Sequence, residues 1–189
     1  MTKKQAAGGA VQKPITLDYL ELSSPIGPLT IIASPQGLCR VEFGTKAEND
    51  ASRAKWAERY YGAHELRPNP ERLGSVAARL AQYFNGERER FEEEMDLQGT
   101  EFQKKVWTAL LTVPYGETAS YKHIAEAIGS PKAVRAVGGA NNQNPIPVII
   151  PCHRIIGASG ELVGYGGGLP TKIKLLELEL NNHLYTQKQ

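Results

Sequence analysis

The chain has 189 residues, 41% of them hydrophobic and 22% charged, with a net charge of +2. These values suit one large or two small globular domains, and so small a bulk charge gives no reason to expect a polyanionic partner. Two cysteines, no apolar segment behind the basic start and no apolar run of membrane-spanning length exclude a disulfide framework, a secretory leader and a membrane span, which implies a reduced, soluble, cytoplasmic protein.

Taken in chain order, residues 1–13 are small and polar and read as a mobile tail. Residues 15–22, 29–34 and 38–43 are β-rich runs parted by Pro/Gly turns, the pattern of an antiparallel meander. Cys39 lies in the third and reads as a small core side chain. Helices follow at 47–61 and 70–84, the second with an apolar face of Leu73, Val76, Ala77, Leu80 and Phe84. Residues 90–99 return as a strand or an extended linker. Residues 14–98 thus form an α+β scaffold unit without a motif that carries chemistry.

The remainder, 99–189, begins with Thr100-Glu101-Phe102-Gln103, a capping box, and an apolar stripe of Phe102, Val106, Trp107 and Leu110. Ser120 caps the next helix and Gly129 stops it. Pro131 stands at the first position of a further helix over 131–140. This pair has the outline of a helix-turn-helix. Its second helix carries Ala133, Ala136, Gly138, Gly139 and Ala140, with Arg135 its only long side chain after Lys132. A helix so smooth can lie against a minor groove about 6 Å wide and direct one arginine into the base stack. Tight packing against another helix with a solvated Arg135 fits equally well. Residues 120–154 hold Lys122, Lys132, Arg135 and Arg154 against Glu126 alone, a local basic patch that suits a visit to phosphates and an ordinary solvated face equally.

The apolar run 148–150 leads into Pro151-Cys152-His153-Arg154. A thiol attacks as thiolate, and an imidazole or a cation nearby promotes that form. Adjacent side chains on a strand face opposite ways, so contact between Cys152 and His153 requires a bend, which Pro151 favours, or a bridging water. A buried, inert cysteine is the alternative. The Gly-rich stretch 159–172 holds one aromatic, Tyr165, and no G-x-x-x-x-G-K-S/T phosphate loop. The last helix offers Glu177 and Glu179, either of which can orient a histidine. Two distant Cys and four scattered His give no metal-ligand spacing.

The run "IPCHRIIG", preceded by "RAVGGANNQNPIPVI" and followed by "GYGGGLPTKIKLLELE", closely resembles the O6-alkylguanine-DNA alkyltransferase family, the methylated-DNA–protein-cysteine methyltransferases. The match runs from about Phe102 to Glu179. It implies an α+β fold: a small N-terminal domain of antiparallel sheet plus helices, and a mainly helical C-terminal domain with a helix-turn-helix. It implies direct-reversal repair of DNA by single-turnover transfer of an alkyl group from O6-alkylguanine, and less readily O4-alkylthymine, to the protein's own cysteine. Cys152 is then the acceptor, His153 its base through a water, and Glu179 the group that orients the imidazole. Tyr121 helps rotate the nucleotide and faces the bound base, and Arg135 fills its place in the stack. Ala136, Gly138 and Gly139 lie against the minor groove. Asn144 ties the recognition helix to the active-site turn. Tyr165 walls the alkyl pocket, the Gly166 amide donates to the guanine oxygen, and the carbonyls of Cys152 and Ile155 accept from the guanine amino group. Lys172 sits at the pocket rim. Gly166 stands where some members have Ser, and the zinc ligands of some N-terminal domains have no counterpart.

The implied partner is double-stranded DNA bound by a monomer, without a membrane, metal, nucleotide or redox cofactor. An S-alkyl thioether does not hydrolyse as a thioester does, so the protein reacts once. Arg154 has no step in this chemistry and reads as a structural ion pair or a phosphate contact. Three other readings stand beside this one. An alkyltransferase-like damage binder lacks the acceptor cysteine, a Cys-His hydrolase turns over many times, and a helix-turn-helix regulator needs no thiol.

Overall fold

The computed structural model describes residues 13–186. The expected tail therefore lies outside the described residues, apart from Lys13. Three strands, β1 (Ile15–Leu22), β2 (Leu29–Ser34) and β3 (Gly37–Phe43), form the expected meander, and α1 (Lys46–Tyr61) follows. A fourth strand, β4 (His64–Pro68), then pairs parallel with β1, from Ile15–His64 to Tyr19–Pro68. The sheet is thus mixed, in the order β3-β2-β1-β4, rather than purely antiparallel. No pattern signals β4, because "HELRP" has one apolar residue and no alternation. An edge strand with both faces largely wet needs neither.

Alternation of side chains divides the core. Leu17, Ile32, Cys39 and Ala57 pack between the sheet and α1, whereas Leu29, Ile31, Ala33, Leu38 and Val41 point to the opposite face. There they meet α2 (Pro70–Phe84), whose buried stripe is Leu73, Val76, Leu80, Tyr83 and Phe84. The same cluster continues without a break into the C-terminal half through Val106, Trp107, Leu110, Ile124 and Val137. Residues 90–99 run extended beside β3, where the Leu38 amide donates to the Glu94 carbonyl at 2.8 Å and the Leu38 carbonyl accepts from the Asp96 amide at 2.9 Å.

The second half comprises α3 (Glu101–Leu110), β5 (Ala119–Ser120), α4 (Tyr121–Ala127), α5 (Val134–Asn142), β6 (Ile155–Ile156) and α6 (Leu169–Thr186). Thr100 and Gln103 form the capping box, Ser120 accepts from the His123 amide, and Gly129 takes φ 71 to end α4. The helix after it starts later than expected. Residues 131–133 make a turn, closed by the Ala133 amide on the Ser130 carbonyl at 2.8 Å, and α5 begins at Val134. Trp107 clamps α3 to α5 by donating to the Ala140 carbonyl at 2.8 Å. The buried run 145–150 is irregular instead of a strand. It is held from the N-terminal half by the Val41 amide, which donates to Pro145 at 2.9 Å.

Candidate active site

Cys152–Arg154 form one turn of 3-10 helix, closed by the Ile155 amide on the Cys152 carbonyl. At three residues per turn, successive side chains leave about 120° apart. This solves the geometry that a strand could not, because three neighbours point to three places. Cys152 faces a cavity of about 530 Å³ that Pro147, Tyr165 and Gly166 also line. His153 and Arg154 turn inward to α6, where both reach Glu179.

The approach to this turn is strained. Val148 sits at φ 74, a left-handed conformation that costs a β-branched residue about 1–3 kcal/mol. Asn144 holds it there, donating to the Ile150 carbonyl at 2.8 Å and accepting from the Ile146 amide at 2.9 Å. Asn144, whose backbone amide donates to the Asn141 carbonyl at 3.3 Å, thus joins the end of α5 to the loop that leads into the turn. A second tie comes from Asn141, a residue of α5 that the sequence did not single out, whose amide group donates to the Cys152 carbonyl at 3.4 Å.

Glu179 is wholly buried and accepts five hydrogen bonds. His153 Nε2 lies at 2.8 Å, Arg154 Nε and Nη2 at 2.8 and 2.9 Å, the Tyr83 hydroxyl at 2.6 Å and the Gly116 amide at 3.1 Å. Burial pushes its carboxyl pKa up, but the donors His153 and Arg154 outweigh burial and hold it at about 2. Glu177 is exposed, which settles which of the two acids faces the histidine. Arg154 also donates to the Val113 carbonyl at 2.7 Å and lies over the Tyr115 ring, so it is the structural ion pair.

Burial lowers the His153 pKa below its usual 6.5, with Glu179 opposing. The ring is therefore neutral at pH 7. With Nε2 committed to a carboxylate, the proton belongs on Nε2, leaving Nδ1 with a lone pair. Nδ1 is buried and has no partner among the described residues. Burial likewise raises the Cys152 thiol to about 11, against smaller downward pulls from Asn144 and Lys172. The resting side chain is a thiol beside a neutral base.

Tyr165 is buried, its phenol pKa pushed well above 10 by desolvation and then by Cys152. Gly166 is exposed at the same cavity, with open space where a side chain would stand. Tyr121 is half-buried at the start of α4, close enough that a Cys152 thiolate adds to the rise burial causes in its pKa. Its ring lies 3.8 Å from the position a Cβ on Gly138 would take. Arg135, Ala136 and Gly139 are exposed on the outer side of α5, while Val137 and Ala140 face the core.

One expectation is corrected. Lys172 is not at a rim. It is fully buried, and its ammonium donates to the Ile155 carbonyl at 2.6 Å and the Val163 carbonyl at 3.0 Å, joining the active-site turn to the Gly-rich loop. The carbonyls expected to meet a guanine amino group also hold the turn together: that of Cys152 accepts from the Ile155 amide and Asn141, and that of Ile155 accepts from Lys172. Tyr83, from the N-terminal half, is a site residue the sequence did not reveal. The one signal was a phenol on the apolar face of an amphipathic helix, where a buried hydroxyl needs a partner. Among the described residues no cluster of three or more His, Cys, Asp or Glu could hold a metal ion, and no helix is long and apolar enough to cross a membrane.

Residues 101–181 match the family described as 6-O-methylguanine DNA methyltransferase, DNA binding domain, and residues 18–97 match its ribonuclease-like domain. A methylated-DNA–protein-cysteine methyltransferase of Mycobacterium tuberculosis is 47% identical over 163 residues, covering 86% of this chain and 92% of that one. One of Methanosarcina barkeri is 45% identical over 164 residues, covering 87% and 98%. The crystal structure of the Mycobacterium tuberculosis O6-methylguanine methyltransferase superimposes with a TM-score of 0.74 at 45% identity, covering 88% of this chain and 94% of that one. A crystal structure of a Mycobacterium tuberculosis protein in complex with DNA gives 0.74 at 44% identity, with the same coverage.

Removing the buried negative charge strands Arg154. Glu179→Gln is expected to cost about 3–5 kcal/mol at pH 7 in denaturant unfolding. Because the folded pKa is depressed to about 2 from 4.5, the stabilisation is complete above pH 4.5 and lost as pH falls from there toward 2. The gap between native protein and variant should narrow over that window. Tyr83→Phe removes a donor that tempers the charge on Glu179, so His153 should titrate at higher pH in an NMR titration, with a stability loss of about 1.5–3 kcal/mol.

Proposed function

Because the chain belongs to the methylated-DNA–protein-cysteine methyltransferase family and repairs O6-methylguanine in DNA, we propose that Cys152 is its acceptor and that each molecule reacts once. The observation that carries this assignment is the pairing at one turn of a cavity-facing thiol with a neutral histidine. That histidine has Nε2 anchored on Glu179 and Nδ1 free to take a proton. In this reading 99–189 is the transferase unit and 14–98 braces it. One copy of the chain holds every group required, so it acts as a monomer on double-stranded DNA.

The target atom lies inside a stacked duplex and the base must be extruded, at a cost of a few kcal/mol. The exposed outer face of α5 meets the minor groove with Ala136, Gly138 and Gly139, whose lack of bulk allows close approach. Arg135 fills the gap in the stack. Tyr121, beside Cys152 and packed near Gly138, crowds the backbone and then faces the base. Tyr165 and Pro147 flank the alkyl group.

A standing thiolate is disfavoured by burial, so the thiol proton leaves as attack proceeds. It passes through one water to His153 Nδ1, and Glu179 stabilises the resulting imidazolium through Nε2–H. The sulfur–carbon bond forms as the carbon–oxygen bond breaks, and the electron pair goes to the guanine oxygen. The Gly166 amide and the Tyr121 hydroxyl, kept neutral by its raised pKa, donate to the developing charge. Tyr121 delivers the proton that completes guanine and is reprotonated from the imidazolium side. A high thiol pKa also spares Cys152 from adventitious electrophiles, because only a correctly placed alkyl carbon meets both nucleophile and base.

Intact-mass and peptide spectrometry after incubation with an O6-methylguanine duplex tests the assignment. One added methyl on Cys152, never more than one per molecule, is expected, with none in Cys152→Ala. Multiple turnovers or a methyl on another residue would contradict it. The single-turnover rate should be level through neutral pH and fall as pH drops below the depressed His153 value. In His153→Gln the plateau should become a slope of about tenfold per pH unit toward the thiol's value near 11, because solvent must then supply the thiolate.

A further inference from the structure

The cavity that begins at Cys152 is far larger than a methyl group requires. About 530 Å³ is the size of a site for a drug-sized ligand. It runs between the two halves of the molecule. Beyond Pro147 and Tyr165, its far wall is built by β3 and α1 and carries Arg40, Lys55, Trp56, Arg59 and Tyr60. Tyr121, Arg135 and Gly138 do not line it, and the part of α5 that does is its C-terminal end, Asn141 and Asn142. A base entering past Tyr121, with its oxygen at Gly166, takes the near part of this space and leaves the part lined by β3 and α1 ahead of its O6 substituent.

The charges on that wall are not balanced. Arg40 is committed to Glu42 at 2.6 Å and lies 4.8 Å over the Trp56 ring, while Glu42 is shared with Arg53 at 2.5 Å. Lys55 and Arg59 are exposed and have no ion pair among the described residues. The Arg59 guanidinium lies 5.3 Å over Tyr60. The far end therefore offers aromatic surface beside two uncompensated cations.

We propose that this wall is a specificity subsite for the part of an O6 substituent beyond the transferred carbon, and that it favours long substituents ending in a carboxylate. The inference rests on the reading of Cys152 as acceptor. The bonds made and broken are the same as for methyl: sulfur bonds to the first carbon, that carbon leaves the guanine oxygen, and the tail stays attached. The tail lies along Trp56 with its carboxylate between Lys55 and Arg59, before and after transfer.

The test uses three duplexes. One carries O6-methylguanine, one an O6-(ω-carboxyalkyl)guanine long enough to cross the cavity, and one the matching neutral ω-carboxamide. Single-turnover rates are each divided by the same protein's rate on O6-methylguanine. In the native protein the carboxylate should exceed the carboxamide by about three- to tenfold, the size expected for two partly exposed charge contacts. In Lys55→Gln/Arg59→Gln the ratio should fall to about one. Equal rates for the two tails in the native protein, or a preference that survives the double substitution, would overturn the proposal. So would equal weakening of binding to all three duplexes, which would make the two cations phosphate contacts instead. Absence of methyl transfer by the native protein is a separate result that sinks the acceptor assignment itself.

Discussion

The active site is organised by one buried carboxylate. Glu179, on α6, gathers Tyr83 from α2, Gly116 from the loop before β5, and His153 and Arg154 from the 3-10 turn. An unpaired charge at full burial is very costly, so this carboxylate requires a permanent counter-ion. Arg154 supplies it. Burial is the main reason that His153 remains neutral at pH 7, and Arg154, by sharing Glu179, adds to it. A base must be unprotonated to act, so the two together keep the histidine usable as one. In the proposed reading the three consecutive residues form one device: nucleophile, base and the counter-ion of the carboxylate that anchors the base.

That device depends on both halves of the molecule. Tyr83 brings the N-terminal half to the carboxylate, and Val41 holds Pro145 at the entrance to the turn. Asn144 and Asn141 fix the turn from the other side, and Lys172 pins its exit to the Gly-rich loop. The strained Val148 persists because these contacts over-determine the loop around it. The unbroken core from the sheet to α5 makes the N-terminal half more than a tether, and the shared cavity gives it a surface that a substrate can touch.

Much of this was legible in the sequence, for stated reasons. Apolar faces, a capping box and Gly/Pro punctuation are local chemistry, so helices at 47–61 and 70–84 and the caps at Thr100 and Ser120 are readable directly, the first helix starting one residue earlier at Lys46. The Pro-Cys-His-Arg run and the last helix were readable as a site. What escaped depends on tertiary contact. Strand β4 has an edge position and no apolar rhythm. Proline suits a first turn and so points to a helix start at Pro131, but the Ser130 carbonyl captures the Ala133 amide and delays the helix. The resemblance puts Lys172 at a rim, yet two carbonyls solvate its ammonium inside. Glu177 and Glu179 differ by 200° around a helix axis, and only the packing decides which faces inward. Tyr83 and Asn141 gain their meaning entirely from partners distant in sequence, at |i−j| of 96 and 11.

The central claim is that His153 rests as a neutral ring protonated at Nε2, with Nδ1 as the base for Cys152. Nitrogen-15 NMR of histidine-labelled protein measures this directly. The account predicts an unprotonated, pyridine-type Nδ1 and a protonated, pyrrole-type Nε2 at pH 7, persisting below pH 6.5, with Nδ1 becoming protonated only as acid overcomes burial. An imidazolium at pH 7, or a ring protonated at Nδ1 instead of Nε2, would contradict it.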